Sequence, residues 1–248
     1  MMMSSGKKLC SVNGIPMYLN LKEGIQKAMA SNSYEPAETN WVKKHLLRGG
    51  IFIDVGASFG YYTTLARSLV GEEGKVFSFE PSPVAYATLK DAVDRSNLAN
   101  VIVTNAAVGR KKGELILYLP PADELHSPSA FKSHSHHRPV TVPLIALDDF
   151  EPLLHCPPID MMKIDVEGSE PDVLEGMRGL ATGGKIKRVI CEFNSWWLKA
   201  NHTKVEDLFA LFKELGFEIE EETEWKRNLP AIKGETFDMQ DVLFRHKG

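Results

Sequence analysis

The chain is poor in cysteine, has no long uncharged apolar run and carries no excess of positive charge. Each shortage removes a class of protein. Cys10, Cys156 and Cys191 are odd in number and far apart, with no Cys-x-x-Cys among them. That spacing excludes a disulfide framework and a zinc knuckle and points to a reducing compartment. Nowhere do eighteen uncharged apolar residues run together, and Met1 to Leu9 has two lysines with no apolar stretch behind them. A soluble, cytoplasmic protein without stable membrane insertion is the expectation. The 29 Lys and Arg against 33 Asp and Glu leave a net charge of -4, which gives no general attraction to phosphate backbones. Nucleic acid is therefore not the expected partner, and a small-molecule or glycan acceptor fits better. Internal repeats are also missing.

What is present is alternation of strand and helix. With 248 residues and 43% hydrophobic content the chain can build one sizeable core. Residues 34–248 read as a single domain behind an N-terminal extension over residues 1–33. A helix runs from Tyr34 to Leu47, stopped by Gly49-Gly50, and is followed by an apolar strand from Ile51. Lys75 to Phe79 is the second strand. Ser82-Pro83 places an N-cap and an N1 proline before Tyr86, Leu89 and Val93 at helical spacing. Val101 to Thr104 is the third strand. Glu114 to Leu119 and Val140 to Leu147 are extended pieces around Pro120 to Pro139, a long loop or lid rich in proline, serine and histidine. Ile159 to Val166 and Lys187 to Phe193 resume the parallel pattern, with a helix opening at Ser169-Glu-Pro171-Asp172 between them. Thr203-x-x-Glu206 reads as a capping box before a helix that buries Leu208 and Phe212. Phe217 to Glu220 and Asp241 to Arg245 lie too close in sequence for a crossover helix, so they pair as an antiparallel hairpin.

The chemistry concentrates at two strand ends. Ile51-Phe-Ile-Asp-Val-Gly-Ala-Ser-Phe-Gly60 is an apolar run that breaks into glycines before a helix, bringing backbone close to a ligand at the carboxyl edge of the sheet. Glu80, after the next strand, can accept hydrogen bonds from ribose hydroxyls. Asp54 decides the ligand: a carboxylate there repels a pyrophosphate and attracts a cation. S-adenosylmethionine offers an ammonium and a sulfonium, whereas a dinucleotide offers phosphates. A short-chain NAD oxidoreductase would want a Gly-x-Gly-x-x-Gly turn without Asp54, and no such turn occurs.

Five parallel strands closed by an antiparallel hairpin resemble the α/β, Rossmann-like class I methyltransferases, with a doubly wound, mostly parallel seven-stranded sheet in the order 3-2-1-4-5-7-6. The motifs narrow this further. Phe52-Ile-Asp-Val-Gly-Ala-Ser-Phe-Gly-Tyr-Tyr-Thr63, Phe79-Glu-Pro, Asn105-Ala-Ala-Val-Gly109, Leu147-Asp-Asp149, Met162-Lys-Ile-Asp-Val-Glu-Gly168 and Cys191-Glu-Phe-Asn194 resemble the FkbM family of methyltransferases, in family order. The family more often has asparagine and isoleucine at Ser58-Phe59. The resemblance implies that Gly56, Ala57, Ser58 and Gly60 wrap the methionine part of S-adenosylmethionine, with Asp54 holding its ammonium directly or through water. It also implies that Glu80 bridges both ribose hydroxyls and that Asn105 and Ala106 meet the adenine, though Asn105 can equally be a turn residue. The implied reaction is O-methylation of a sugar, glycolipid or polyketide-like acceptor. A methyltransferase-like binding module without chemistry is the non-enzymatic alternative.

A hydroxyl acceptor benefits from a base near the strand tips. Asp165, Glu167 and Glu192 project there and are the catalytic candidates; for all three the alternative is helix capping and ion pairing with Lys163. Asp165, Glu192 and Asn194 form an oxygen set compatible with magnesium or calcium, similar in position to catechol-type O-methyltransferases, but no metal ligand is assigned. His126, His134, His136 and His137 crowd the long loop without a cysteine or carboxylate at ligand spacing. They read as polar loop residues, one of which could serve as a base in a closed lid. Lys132 and Arg138 could meet an anionic acceptor. Trp196 and Trp197 either form a sugar-stacking platform or are buried, and Tyr61 and Tyr62 either flank the site or join the core.

Overall fold

The first elements come before the expected strand-helix alternation. Asn13 and Gly14 both take positive φ, 50° and 86°, and so close a tight hairpin between β1 (Lys8–Val12) and β2 (Ile15–Leu19). Val12, Met17 and Leu19 are buried in the same apolar cluster as Leu65 and Leu89. Two helices follow, α1 (Gly24–Ala30) and α2 (Pro36–His45). α2 is the helix expected from Tyr34 to Leu47, shortened at both ends, and it buries Trp41 and Val42. The computed structural model describes residues 6–120, 130, 137–230 and 236–248.

The alternating body begins with β3 (Ile51–Val55), α3 (Tyr61–Val70), β4 (Lys75–Phe79), α4 (Pro83–Arg95) and β5 (Val101–Thr104). Then come β6 (Ala107–Val108), β7 (Gly113–Leu119), β8 (Arg138–Ile145), α5 (Glu151–Leu154) and β9 (Met161–Ile164). The chain continues through α6 (Glu170–Gly176), α7 (Arg178–Thr182), β10 (Arg188–Asn194), α8 (Ser195–Ala200) and α9 (Val205–Glu214). It ends with β11 (Phe217–Glu222), β12 (Lys226–Pro230) and β13 (Thr236–His246).

The central sheet runs β11-β13-β10-β9-β3-β4-β5, with β12 added beside β13. Counted by its main strands this is the expected order, and β12 is an eighth strand that the sequence reading lacked. β10, β9, β3, β4 and β5 are parallel, while β13 is antiparallel to both β10 and β11. Every residue of β3 and β9 is buried, which explains their unbroken apolar character apart from Asp54 and Lys163. Strand order reverses between β3 and β9, so the crevice opens at their carboxyl ends. β6, β7 and β8 form a separate three-stranded sheet. Residues 121–129 and 131–136 of the expected lid, with His126, Lys132, His134 and His136, lie outside the described residues.

One expected cap is displaced. The Thr203 N–H donates to the Leu198 carbonyl at 2.9 Å, so Thr203 closes α8 rather than opening the next helix. α9 begins one residue later, where the Asp207 carboxylate accepts from the Lys204 N–H at 3.2 Å. Among the described residues no helix is long and apolar enough to cross a membrane.

Apolar side chains fill both faces of the sheet. On one face Phe212 of α9 stacks on Phe244 of β13, with ring centres 3.8 Å apart and planes 4° from parallel. Phe212 is fully buried. Phe212→Ala should therefore cost about 3–5 kcal/mol of stability, read from urea unfolding, because the surrounding strands cannot collapse into the space left.

Candidate functional site

The carboxyl ends of β3, β4, β9 and β10 meet at one edge of the sheet, and the loop after β3 sets the spacing. Gly56 has φ 82°, and a Cβ on it would lie 1.8 Å from the Asp165 carbonyl oxygen. Only glycine lets the β3 and β9 loops pack this closely. The Gly56 and Ala57 N–H groups both donate to the Phe79 carbonyl at 3.0 Å, joining this loop to the end of β4. Gly60, with φ 94°, sits where a Cβ would meet Leu89 at 2.3 Å, so it brings α3 close to α4.

Glu80 is held at the end of β4 by backbone. Its Oε2 accepts from the Ser58 N–H and its Oε1 from the Ser82 N–H, both at 2.7 Å. Each oxygen keeps a second lone pair for a ligand hydroxyl. Burial pushes the carboxyl up to about 7, against the lowering effect of the two N–H donors, and Asp54 and Asp165 add to the rise. Asn105 braces the same corner, its Nδ2 donating to the Glu80 carbonyl at 2.8 Å and the Pro81 carbonyl at 3.1 Å.

Asp54 lies deeper. Its Oδ2 accepts from Thr63 Oγ1 at 2.6 Å, and Thr63 Oγ1 is 2.8 Å from Ser78 Oγ. Burial pushes Asp54 up to about 6, opposed by the Thr63 hydrogen bond and the Lys163 charge. Beside it in the sheet, Lys163 pairs with Asp165 at 2.7 Å and Glu35 at 3.6 Å. Its ammonium also lies 4.9 Å from the centre of the Tyr62 ring. Burial disfavours the ammonium, but Asp165 and Glu35 outweigh it and hold Lys163 well above its ordinary value. Glu35, at φ 40°, also accepts from the Tyr62 hydroxyl at 2.7 Å.

A cleft of about 960 Å³ opens above this base. Of the residues expected from sequence, Gly56, Ser58, Glu80, Ala106, Asp165, Glu167 and Glu192 line it. Asp54 and Ala57 instead line an adjoining void of about 30 Å³, together with Tyr61, Tyr62 and Lys163. Asn105 and Gly60 are on neither wall; one braces a turn and the other spaces two helices. The sequence reading missed Tyr34 and Glu35, which line the cleft from the segment before α2, and the leucines of β7. Glu35-Pro36 was legible as a helix start, but nothing local shows that it faces Lys163.

Other expectations change. Asn194 Oδ1 accepts from the Trp196 and Trp197 N–H groups at 3.2 and 3.4 Å, capping α8, so that oxygen serves the helix rather than a cation. No metal-ligating cluster occurs among the described residues. Trp196 and Trp197 do not line the cleft, and Trp197 is buried with its carbonyl against Gly168. His137 is buried away from the cleft, whereas Arg138 lines it. Burial raises Glu192 well above the carboxylate range, and the negative charges of Asp165, Glu167 and Asp241 add to this.

The profile of the Methyltransferase FkbM domain matches residues 54–219, which run from the end of β3 through β4, β9, β10 and the loops just described. The chain belongs to the FkbM methyltransferase family. Methyltransferase 1 of Beauveria bassiana (strain ARSEF 2860) is 23% identical over 145 residues, 50% of this chain and 57% of that protein. A presumed rRNA-methylase from Clostridium thermocellum superposes with a TM-score of 0.52 at 13% identity, over 86% of this chain and 95% of its own. A methyltransferase FkbM from Methylobacillus flagellatus KT gives 0.48 at 13% identity, over 88% of this chain and 52% of its own. This chain spans 57% and 32% of the lengths of the curated relatives it matches. The FkbM chain thus has the class I methyltransferase fold.

In this FkbM chain, several buried carboxyls titrate above their ordinary values: Asp54 to about 6 and Glu80 and Glu170 to about 7, each chiefly through burial. The folded state holds protons that the unfolded chain releases above its ordinary values of 3.8 and 4.5. Their contribution is complete below those values and is lost as pH rises through 6 to 7. The urea midpoint of the ligand-free protein should fall across that window, and Glu80→Gln should flatten part of the slope. Lys163→Met strands two carboxylates and should cost about 3–5 kcal/mol by the same measurement.

Proposed function

We propose that this chain is an S-adenosylmethionine-dependent methyltransferase acting on a hydroxyl of a sugar, glycolipid or polyketide-like acceptor. The observation that carries the reading is Glu80. It is a buried carboxylate presented to the cleft by two backbone N–H groups, with a lone pair left on each oxygen. That is the acceptor pair a ribose diol requires. The donor set fits the cofactor in charge as well. Asp165 and Glu167 put negative charge on the cleft wall, which favours a cationic ligand over a pyrophosphate. Gly56 lines the cleft without a side chain, so the ligand meets backbone there. Ala106, after β5, offers a small apolar surface for the base.

When bound, S-adenosylmethionine supplies an activated methyl group, so the chain's own task is alignment, exclusion of water and proton removal. Asp165 is fixed by Lys163 and serves to orient the acceptor hydroxyl. Glu192 is the better proton acceptor. Its environment raises its affinity for protons, the direction a general base needs. Glu167, at φ 53° in the same loop, completes the acidic wall. The net charge of -4 supports a small-molecule or glycan acceptor over nucleic acid.

Calorimetry with S-adenosylmethionine and with NAD, followed by an acceptor screen by mass shift, tests the reading. The methyl donor should bind and NAD should not; NAD in its place would overturn it. Glu80→Ala should weaken donor binding by about 1–3 kcal/mol through the lost ribose contact. Glu192→Gln should lower kcat by about 10²–10⁴ with donor affinity retained. Donor binding with no transfer to any acceptor class would favour a binding module.

A further inference from the structure

The cleft is chemically divided along its length. Its acidic end lies at the strand tips, at Glu80, Asp165 and Glu192. Away from them the wall is built by the three-stranded sheet. Residues alternate across a strand, so Leu115, Leu117 and Leu119 of β7 share one face, while Ile116 between them points outward and is 52% exposed. All three leucines line the cleft, and Val108 of β6 extends the apolar wall. Leu119 is the register partner of Arg138 on β8. Arg138 also lines the cleft and is exposed, and its side chain makes no hydrogen bond or ion pair among the described residues.

We propose that the acceptor site takes a free anionic amphiphile. Its apolar body lies on the leucine wall, and a carboxylate, sulfate or phosphate lies at Arg138. This narrows the acceptor class of the methyl-transfer reading and rests on it for the position of the reacting hydroxyl. Three features argue for it. At about 960 Å³ the cleft is at the top of the range of about 300–1,000 Å³ typical of small-molecule sites, which leaves room beyond a nucleoside. An unmodified sugar would press hydroxyls against leucine side chains and lose their hydration without replacement. Charge also sets the direction. An anion is repelled by the acidic strand tips and attracted by the guanidinium, so the molecule enters with its hydroxyl toward Asp165 and Glu192.

The test uses the full chain and two dyes of similar shape, the anionic anilinonaphthalene sulfonate and the uncharged phenylnaphthylamine, with and without saturating S-adenosylhomocysteine. The sulfonate dye should bind at one saturable site and stay bound in the presence of S-adenosylhomocysteine. Arg138→Gln should weaken the sulfonate dye about tenfold and leave the neutral dye unchanged, as expected for loss of a partly screened charged hydrogen bond. Leu115→Asn, at a half-buried position that circular dichroism can show to remain folded, should weaken both dyes. Displacement of the sulfonate dye by S-adenosylhomocysteine, or indifference of both dyes to both substitutions, would overturn the proposal. Failure of S-adenosylhomocysteine to bind, with the dye still sensitive to Arg138→Gln, would overturn the methyl-donor reading and leave the amphiphile site supported.

Discussion

A buried ammonium holds the carboxyl edge of this sheet together. Lys163 stands beside Asp54 within the parallel strands and reaches Asp165, Glu35 and the face of Tyr62. Taking such an ion out of water costs several kcal/mol, and only close pairing offsets it. Here the pairing draws on three parts of the chain: the loop after β9, the segment before α2 and the first turn of α3. The acidic cleft is possible because this cation lies beneath it. Without Lys163, the charges of Glu35, Asp54 and Asp165 would face one another across a dry floor.

The same economy of backbone shapes the walls. Gly56 lets two loops touch, and the Phe79 carbonyl takes two N–H groups from the loop it supports. Glu80 then uses two more N–H groups to fix its orientation, so its carboxylate is aimed before any ligand arrives. Such preorganisation is what a small cofactor site needs, because a side chain that must first be ordered wastes binding energy. The small sheet of β6, β7 and β8 adds a wall of different chemistry, which gives the cleft a direction.

Much of the fold was readable because parallel strands buried on both faces must be apolar, and the helices between them must show a helical stripe. The runs at Ile51, Lys75, Val101, Ile159 and Lys187 carry that pattern, and the closing hairpin follows from chain length. The misses are of two kinds. The Asn13-Gly14 hairpin is a strong local signal that belongs to no βαβ unit. Thr203 has the composition of a cap, yet the preceding helix claims its N–H. Asn105 and Asn194 have side chains able to reach a ligand, and in the fold each is engaged with nearby backbone.

Sequence alone determined the alternating architecture and the acidic strand ends, because these depend on periodicity and on residues adjacent in the chain; the strand order was implied only by the family resemblance. Tertiary structure alone decided which carboxylates face the cleft and which lie beneath it. Asp54 and Glu80 look equivalent as strand-end acids, but one sits within the floor beside Thr63 and the other opens to the wall. It also decided that Glu35 meets Lys163 and that β7 leucines stand across from acidic tips. Those contacts join segments far apart in the chain, and no local pattern encodes the distance or the dielectric between them.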